Sequence, residues 1–288
     1  MVAYRGGMGE LMALSAAVCF GATHFVNGLA ARRAPGMTVS LYAQVSGTVV
    51  TPLAALLWPH GTASPGAVGW GALSGVGTGI GVAFLYRSMS RGALSVVVPI
   101  SDVGAVAIPV LAGLVLWGER PGLAGVCGIA LALPAIWLTS AEPVPPDRRR
   151  TTPVPALRDA IIAGVGFAVQ FLGMTRVPLT AGLWPIAASR AASVVVIVLL
   201  IAGTKPALRM PIGWASAAAG AGIVGSGAIV LYWVATHQQL VTIATVLAAL
   251  YPAIPVVLAL VLLRERIGRW QTVGLCGAAA AIALLALA

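Results

Sequence analysis

The second half of this chain repeats the first at an offset of 146 residues, the separation of Glu119 from Glu265. Gly79 and Gly81 return as Gly225 and Gly227, Tyr86 as Tyr232, and Leu94 as Leu240. Ile108-Pro109-Val110 returns as Ile254-Pro255-Val256, Glu119-Arg120 as Glu265-Arg266, and Gly128 as Gly274. The fold must therefore use one unit twice. Both copies are almost wholly apolar: 59% of the 288 residues are hydrophobic, 8% are charged, and mean hydropathy is +0.99. A soluble domain carries about 25% charged residues. This chain cannot clothe a surface in water, and it reads as an integral membrane protein.

The formal charge of +10 does not point to nucleic acid, because the bases sit in short connectors between apolar runs. Cys19, Cys127 and Cys276 fall inside apolar stretches without metal-ligand spacing, which suits packing. The first apolar run, from near Gly9, is long enough to span a bilayer and carries no small-residue cleavage site, so no cleaved signal is expected.

A spanning helix needs about 20 apolar residues, and helices satisfy every backbone group in lipid. The breaks give ten candidates: 9–30, 37–58, 66–88, 93–117, 121–140, 157–176, 181–203, 211–235, 239–263 and 268–288. The one substantial polar stretch, from Glu142 to Thr152, holds Pro143, Pro145, Pro146 and Arg148-Arg149-Arg150. The expected organisation is a first five-helix repeat at 1–141, a linker at 142–156 and a second repeat at 157–288. Five is odd, so the copies lie upside down relative to each other. An inverted repeat has two pseudo-equivalent states, open to one side or the other, with its site between the copies.

Glycines at Gly71, Gly75, Gly77, Gly79 and Gly81, and again at Gly220, Gly222, Gly225 and Gly227, allow helix backbones to touch in lipid. Pro99 and Pro109 punctuate the fourth span, and Pro252 and Pro255 the ninth. They serve either bundle shape or a hinge. Sixteen of the 17 Lys and Arg residues are in connectors: thirteen on one set of alternate loops, and only Arg5, Arg120 and Arg176 on the other. The positive-inside rule puts the first set in the cytoplasm and both termini outside.

Ionisable groups inside a membrane are costly, so they are functional candidates. Of seven acids only Asp102 lies near the middle of a span, and of the bases only Arg190. His24, Gln44 and Gln170 are the other polar groups at depth. The repeat pairs His24 with Gln170 and Gln44 with Arg190. The expected cavity is lined by His24, Asn27, Gln44, Asp102, Gln170 and Arg190, with Tyr42, Tyr86, Trp184, Tyr232 and Tyr251 as aromatic candidates for its wall. In one reading Arg190 holds a carboxylate with its planar fork, and Asp102 holds an ammonium or takes a proton. In the other the two neutralise each other. His24 is either a proton shuttle or a packing residue. Trp58, Trp70, Trp117, Trp214, Trp233 and Trp270 read as an interfacial belt, with His60 and His237 beside it. Glu119-Arg120 and Glu265-Arg266 read as structural pairs at helix ends.

Phe20-Gly-Ala-Thr-His-Phe25, Ala93-Leu-Ser-Val-Val-Val-Pro99 leading through Ile108-Pro109 to Trp117-Gly-Glu-Arg120, and Leu263-Arg-Glu-Arg266 together carry a resemblance. Over essentially the whole chain the sequence resembles the EamA-type permeases of the drug/metabolite transporter superfamily. That resemblance implies two five-helix domains in the cytoplasmic (inner) membrane. It also implies gradient-coupled or proton-coupled movement of small metabolites, often export of amino acids or toxic cations. The chain departs from the family pattern in its loop at 58–65, which has no Lys or Arg, and in lacking a basic C-terminal tail. The family norm of cytoplasmic termini therefore opposes the charge distribution, and the charge reading is kept.

The leading function is secondary active transport of amino acids or related zwitterions. A lipophilic cation or drug exporter is the alternative, and it would have no use for Arg190. An intramembrane enzyme is remote, with no H-E-x-x-H, G-x-S-x-G or paired carboxylates. No connector is long enough for a signalling or nucleotide domain. The expected partners are a small-molecule substrate, membrane lipid and protons. No cofactor, metal or nucleic acid is called for, and a monomer is plausible because the duplication supplies both halves of a pseudo-dimer.

Overall fold

A computed structural model of the chain describes residues 7–57, 61–91, 93–140, 152–264 and 268–288. Trp58, His60, Glu265-Arg266 and positions 142–151 of the linker lie outside the described residues. The described chain is all-helical. The first half supplies α1 (Met8–Ala31), α2 (Gly36–Leu57), α3 (Pro65–Arg91), α4 (Leu94–Leu116) and α5 (Leu123–Ser140). The second supplies α6 (Val154–Thr175), α7 (Trp184–Thr204), α8 (Ile212–Ala235), α9 (Val241–Ala249), α10 (Ala253–Leu262) and α11 (Arg269–Leu285). Among the described residues nine apolar runs are long enough to cross a membrane, and α11 is a shorter tenth of 17 residues.

The halves do not fold side by side. The main packing joins α1 to α8 and α3 to α6, α3 to α7 and α2 to α8, α2 to α7, and α5 to α11, and each of these contacts has its counterpart, or is its own, when the halves are exchanged. Glycine makes the approaches close. A Cβ at Gly71 or Gly75 would collide with the carbonyl of Pro185 or Ser189 on α7, and one at Gly77 would lie 2.5 Å from the carbonyl of Gly166 on α6. Hydroxyls then bond carbonyls across the seams. Thr23 Oγ1 donates to Ala221 at 3.0 Å, Ser46 Oγ to Ala219 at 2.7 Å and Ser74 Oγ to Gln170 at 2.9 Å. Small residues and such bonds hold helices together where no hydrophobic force drives them.

The proline expectation divides between the copies. α4 runs unbroken through Pro99 and Pro109, whereas the ninth span is interrupted between α9 and α10 by a turn at 250–252. Only Pro109 and Pro255 are true counterparts. Pro252 caps α10, and its counterpart in α4 is Val106, which leaves the helix whole. Gly21 lets α1 abut the break, since a Cβ there would lie 2.7 Å from the Tyr251 carbonyl and clash with Ile254.

Glu119, read from sequence as a helix-end residue, does a specific job. Its carboxylate accepts from the backbone N–H groups of Val241 at 2.8 Å and Thr242 at 2.9 Å. It thereby caps α9 and offsets the positive end of that helix. At the other end of the bundle, buried Asp159 on α6 pairs with Arg87 at 3.2 Å and Arg91 at 2.9 Å on α3.

Candidate functional site

A cavity of about 100 Å³ lies between the two halves. α1 contributes Phe20, Thr23, His24 and Asn27, α2 contributes Ser40, Ala43 and Gln44, and α3 contributes Thr78, Val82, Leu85 and Tyr86. Ala105 of α4, Phe167, Gln170 and Phe171 of α6, Arg190 of α7, and Gly225 and Ile229 of α8 complete it with Tyr251. Such a space takes only a few waters, while a filled ligand site is about 300–1,000 Å³. The site is contracted, and a metabolite enters only if a wall gives way.

One wall is a hydrogen-bonded cluster. Arg190 is 4% exposed, and its Nη1 donates to Gln44 Oε1 at 2.8 Å. Ser193 Oγ lies 3.0 Å from the same oxygen and 2.8 Å from the Arg190 carbonyl. Arg190 Nε and Nη2 are buried without a hydrogen-bond partner. Leaving donors of a buried cation unpaired costs on the order of 1–3 kcal/mol or more, which is free energy that an anionic ligand would recover. The opposite wall gathers on the helix break. Tyr251 stacks on His24 with ring centroids 4.8 Å apart and planes 13° apart, and its hydroxyl donates to Asp102 Oδ1 at 2.6 Å. Ser140 Oγ donates to Asp102 Oδ2, also at 2.6 Å. Thr78 Oγ1 donates to Gln170 Oε1 at 2.9 Å, and Asn27 Oδ1 is buried without a partner.

His24, Asn27, Gln44, Gln170, Tyr86 and Arg190 thus meet around one space. Asp102 does not reach the lining; it stands behind Tyr251, and among the described residues it forms no ion pair with Arg190. Tyr232 and Trp184 also depart from the expected wall. Tyr232 is sealed behind Phe171, its hydroxyl 2.9 Å from Thr245 Oγ1 and 3.4 Å from the Phe171 carbonyl. Its 1% exposure and these two partners make it core. Trp184 opens α7 at 40% exposure and lines a separate shallow depression with Thr48, Pro52 and Ala187. Tyr42 reaches outward to the Leu208 carbonyl at 3.5 Å. Trp233 is no belt residue either: it is 2% exposed and donates to the Val177 carbonyl at 2.7 Å.

Sequence reasoning missed Ser193, Ser140, Thr78 and Thr23, and the apolar lining of Phe20, Phe167 and Phe171. Spacing from a polar position already singled out was the available signal for two of them: Ser193 lies one helical turn from Arg190, and Thr23 is next to His24.

The lining residues of α1, α2 and α3 come from the halves of those helices nearest Arg32, Arg33, Arg87 and Arg91. Those of α6, α7 and α8 come from the opposite halves of their helices, so the cavity sits near mid-depth, between the basic end and the other. Towards the other end Phe171, Met174, Val177, Leu183, Ile186, Tyr232 and Trp233 form one buried cluster that closes it.

Apolar helices in two interleaved copies around a polar cavity define a multi-pass membrane protein of the transporter class. The model of the EamA-like transporter family matches residues 7–141 and again 157–287, and the chain belongs to that family. It is a membrane transporter of the drug/metabolite type, which binds small-molecule substrates. A solved crystal structure shares the fold over 97% of this chain and 96% of its own, with a TM-score of 0.73 at 17% identity. No curated protein matches the chain.

Proposed function

We propose that this transporter moves small amino acids or related zwitterions by alternating access, with Arg190 binding the substrate carboxylate and Asp102 acting through Tyr251 on the ammonium or on a coupling proton. Arg190 carries the reading: among the described residues it is the one charged side chain in the lining, and two of its donors are unpaired. A lipophilic cation exporter would place its substrate against that charge, although the aromatic lining of Phe20, Phe167 and Phe171 would suit it. Ten spans in two inverted five-helix repeats, the basic connectors in the cytoplasm and export as the direction complete the proposal. The exchange pattern of helix contacts supports the inversion, and the partition of Lys and Arg supports the orientation.

The test is uptake of a radiolabelled amino-acid panel by proteoliposomes, with and without an imposed pH gradient. Accumulation that unlabelled zwitterions compete away, and that falls at least about a hundredfold in Arg190→Gln, is the expected result, as for loss of a charge-assisted two-point contact. Flux of a lipophilic cation that Arg190→Gln leaves intact would overturn it.

A further inference from the structure

We propose that Gln44 and Gly225 determine specificity by presenting one edge of the Arg190 guanidinium as a two-point dock for a single carboxylate. This rests on Arg190 as the substrate anchor and assigns the geometry that role requires. A guanidinium is planar, and Nε and Nη2 share one edge, whose two N–H bonds run parallel and match the two oxygens of a carboxylate. Those are the two unpartnered nitrogens. The third, Nη1, is held by Gln44 at 2.8 Å, and Gln44 is held in turn by Ser193 at 3.0 Å. With Nη1 tied, the plane of the group cannot turn its free edge away.

Glycines keep that edge uncovered. A Cβ at Gly225 would lie 3.9 Å from Nη2 and 3.3 Å from Thr23 Cγ2, and one at Gly47 would lie 3.4 Å from Nε. Gly225 and Thr23 both line the cavity, so the edge opens where a ligand is admitted. One fork and no second Lys or Arg in the described lining suit one negative charge, and a phosphate dianion would leave a charge uncompensated. Gln44 and Arg190 are also counterparts at the 146-residue offset, and they touch each other. The anchor therefore lies where the two halves meet, equally placed for both as they exchange roles. A second arginine at position 44 would set two buried cations in contact; a glutamine supplies a neutral acceptor instead.

The test uses the full-length protein in lipid nanodiscs with three probes: L-leucine, 4-methylpentanoate, which lacks the amine, and L-leucinamide, which lacks the carboxylate. Ligand-induced thermal stabilisation should be seen with both carboxylates and should need at least about tenfold more leucinamide, the equivalent of one lost hydrogen-bonding contact. Gln44→Met keeps the cation but frees it, and should raise the leucine KM about tenfold with kcat within a factor of two. Gln44→Glu pairs with Arg190 and should abolish carboxylate binding while leaving the ligand-free melting temperature unchanged or higher. Gly225→Ala, whose methyl would press to 3.3 Å of Thr23 Cγ2, should raise the leucine KM by crowding the dock. Equal binding of leucinamide, no stabilisation by either carboxylate, or wild-type affinity in Gln44→Glu or Gly225→Ala would overturn the proposal. If 4-methylpentanoate binds, and is lost in Gln44→Glu, while no amino acid is transported, the dock stands and the amino-acid reading falls.

Discussion

Asp102 has both carboxylate oxygens committed to neighbours, one to Tyr251 and one to Ser140, each at 2.6 Å. The two bonds look alike but differ in consequence. Ser140 ends α5 and leads nowhere further, whereas Tyr251 carries the contact through its ring to His24 and the cavity. Tyr251→Phe keeps the stack on His24 and strips Oδ1 of its donor, at a cost of about 1–3 kcal/mol. Ser140→Ala costs a similar amount. The expected outcome is a lowered melting temperature in both, with substrate flux in proteoliposomes reduced at least about tenfold only in Tyr251→Phe. Equal flux in the two variants would reduce Asp102 to a structural role. Asp102 and Arg190 were legible in the sequence because a charge within an apolar run has no cheap explanation. Tyr251 was legible as an aromatic of the wall but not as the partner of Asp102, and Ser140 and Ser193 were not legible, because hydroxyls sit easily in lipid-embedded helices. Thr48, Thr51 and Thr139 show the bland case, each bonding a carbonyl of its own helix.

At the scale of elements, the ninth span carries the asymmetry between the copies. Nearly every helix boundary could be read from breaks in hydropathy, and α1 to α3 recur as α6 to α8 at the expected offset. The break between α9 and α10 could not, because α4 carries two prolines and stays whole. What differs is position. Pro252 lacks the N–H that a helix would bond to the Ala248 carbonyl, and Gly21 of α1 fills the space beside the turn. The turn in turn sets Tyr251 against His24 and Asp102. Pro252→Ala restores the missing donor and lets α9 run on into α10. The melting temperature should rise, by up to about 1 kcal/mol of stability, while flux falls, the usual exchange where activity needs a strained element. Calorimetry alongside proteoliposome flux measures both, and a variant that transports at the wild-type rate would show that the break is only bundle shape.

The two ends of the whole molecule are closed by different chemistry. At the end with few bases, Tyr232 bonds Thr245 at 2.9 Å, Trp233 bonds the Val177 carbonyl at 2.7 Å, and Glu119 caps α9. At the basic end the counterpart of Tyr232 is Tyr86, which lines the cavity, and the counterpart of Thr245 is Pro99, which offers no hydroxyl. Trp233 is matched there by Arg87, which pairs with Asp159 at 3.2 Å. The repeat was legible at once, but this inequality is written in the few positions where the copies differ and emerges only when partners are known. Tyr86 bonds Ser40 instead, so the ends differ in the partners of matched side chains; a bias of about 1–3 kcal/mol would leave the less favoured state populated at between about 15% and under 1%. Ser40 lines the cavity at 5% exposure and its counterpart, Ile186, is at 0%, so the pair would report the proposed exchange between two states. With Cys19, Cys127 and Cys276 replaced by Ala, Ser40→Cys should react with a membrane-impermeant thiosulfonate applied from the face proposed as cytoplasmic, and Ile186→Cys only slowly from the other face. Adding Tyr232→Phe removes the bond to Thr245, worth about 1 kcal/mol, and should speed labelling of Ile186→Cys about fivefold while slowing that of Ser40→Cys. Reaction of Ser40→Cys from the outer face would reverse the orientation, and rates unmoved by Tyr232→Phe would show that this latch does not bias the exchange.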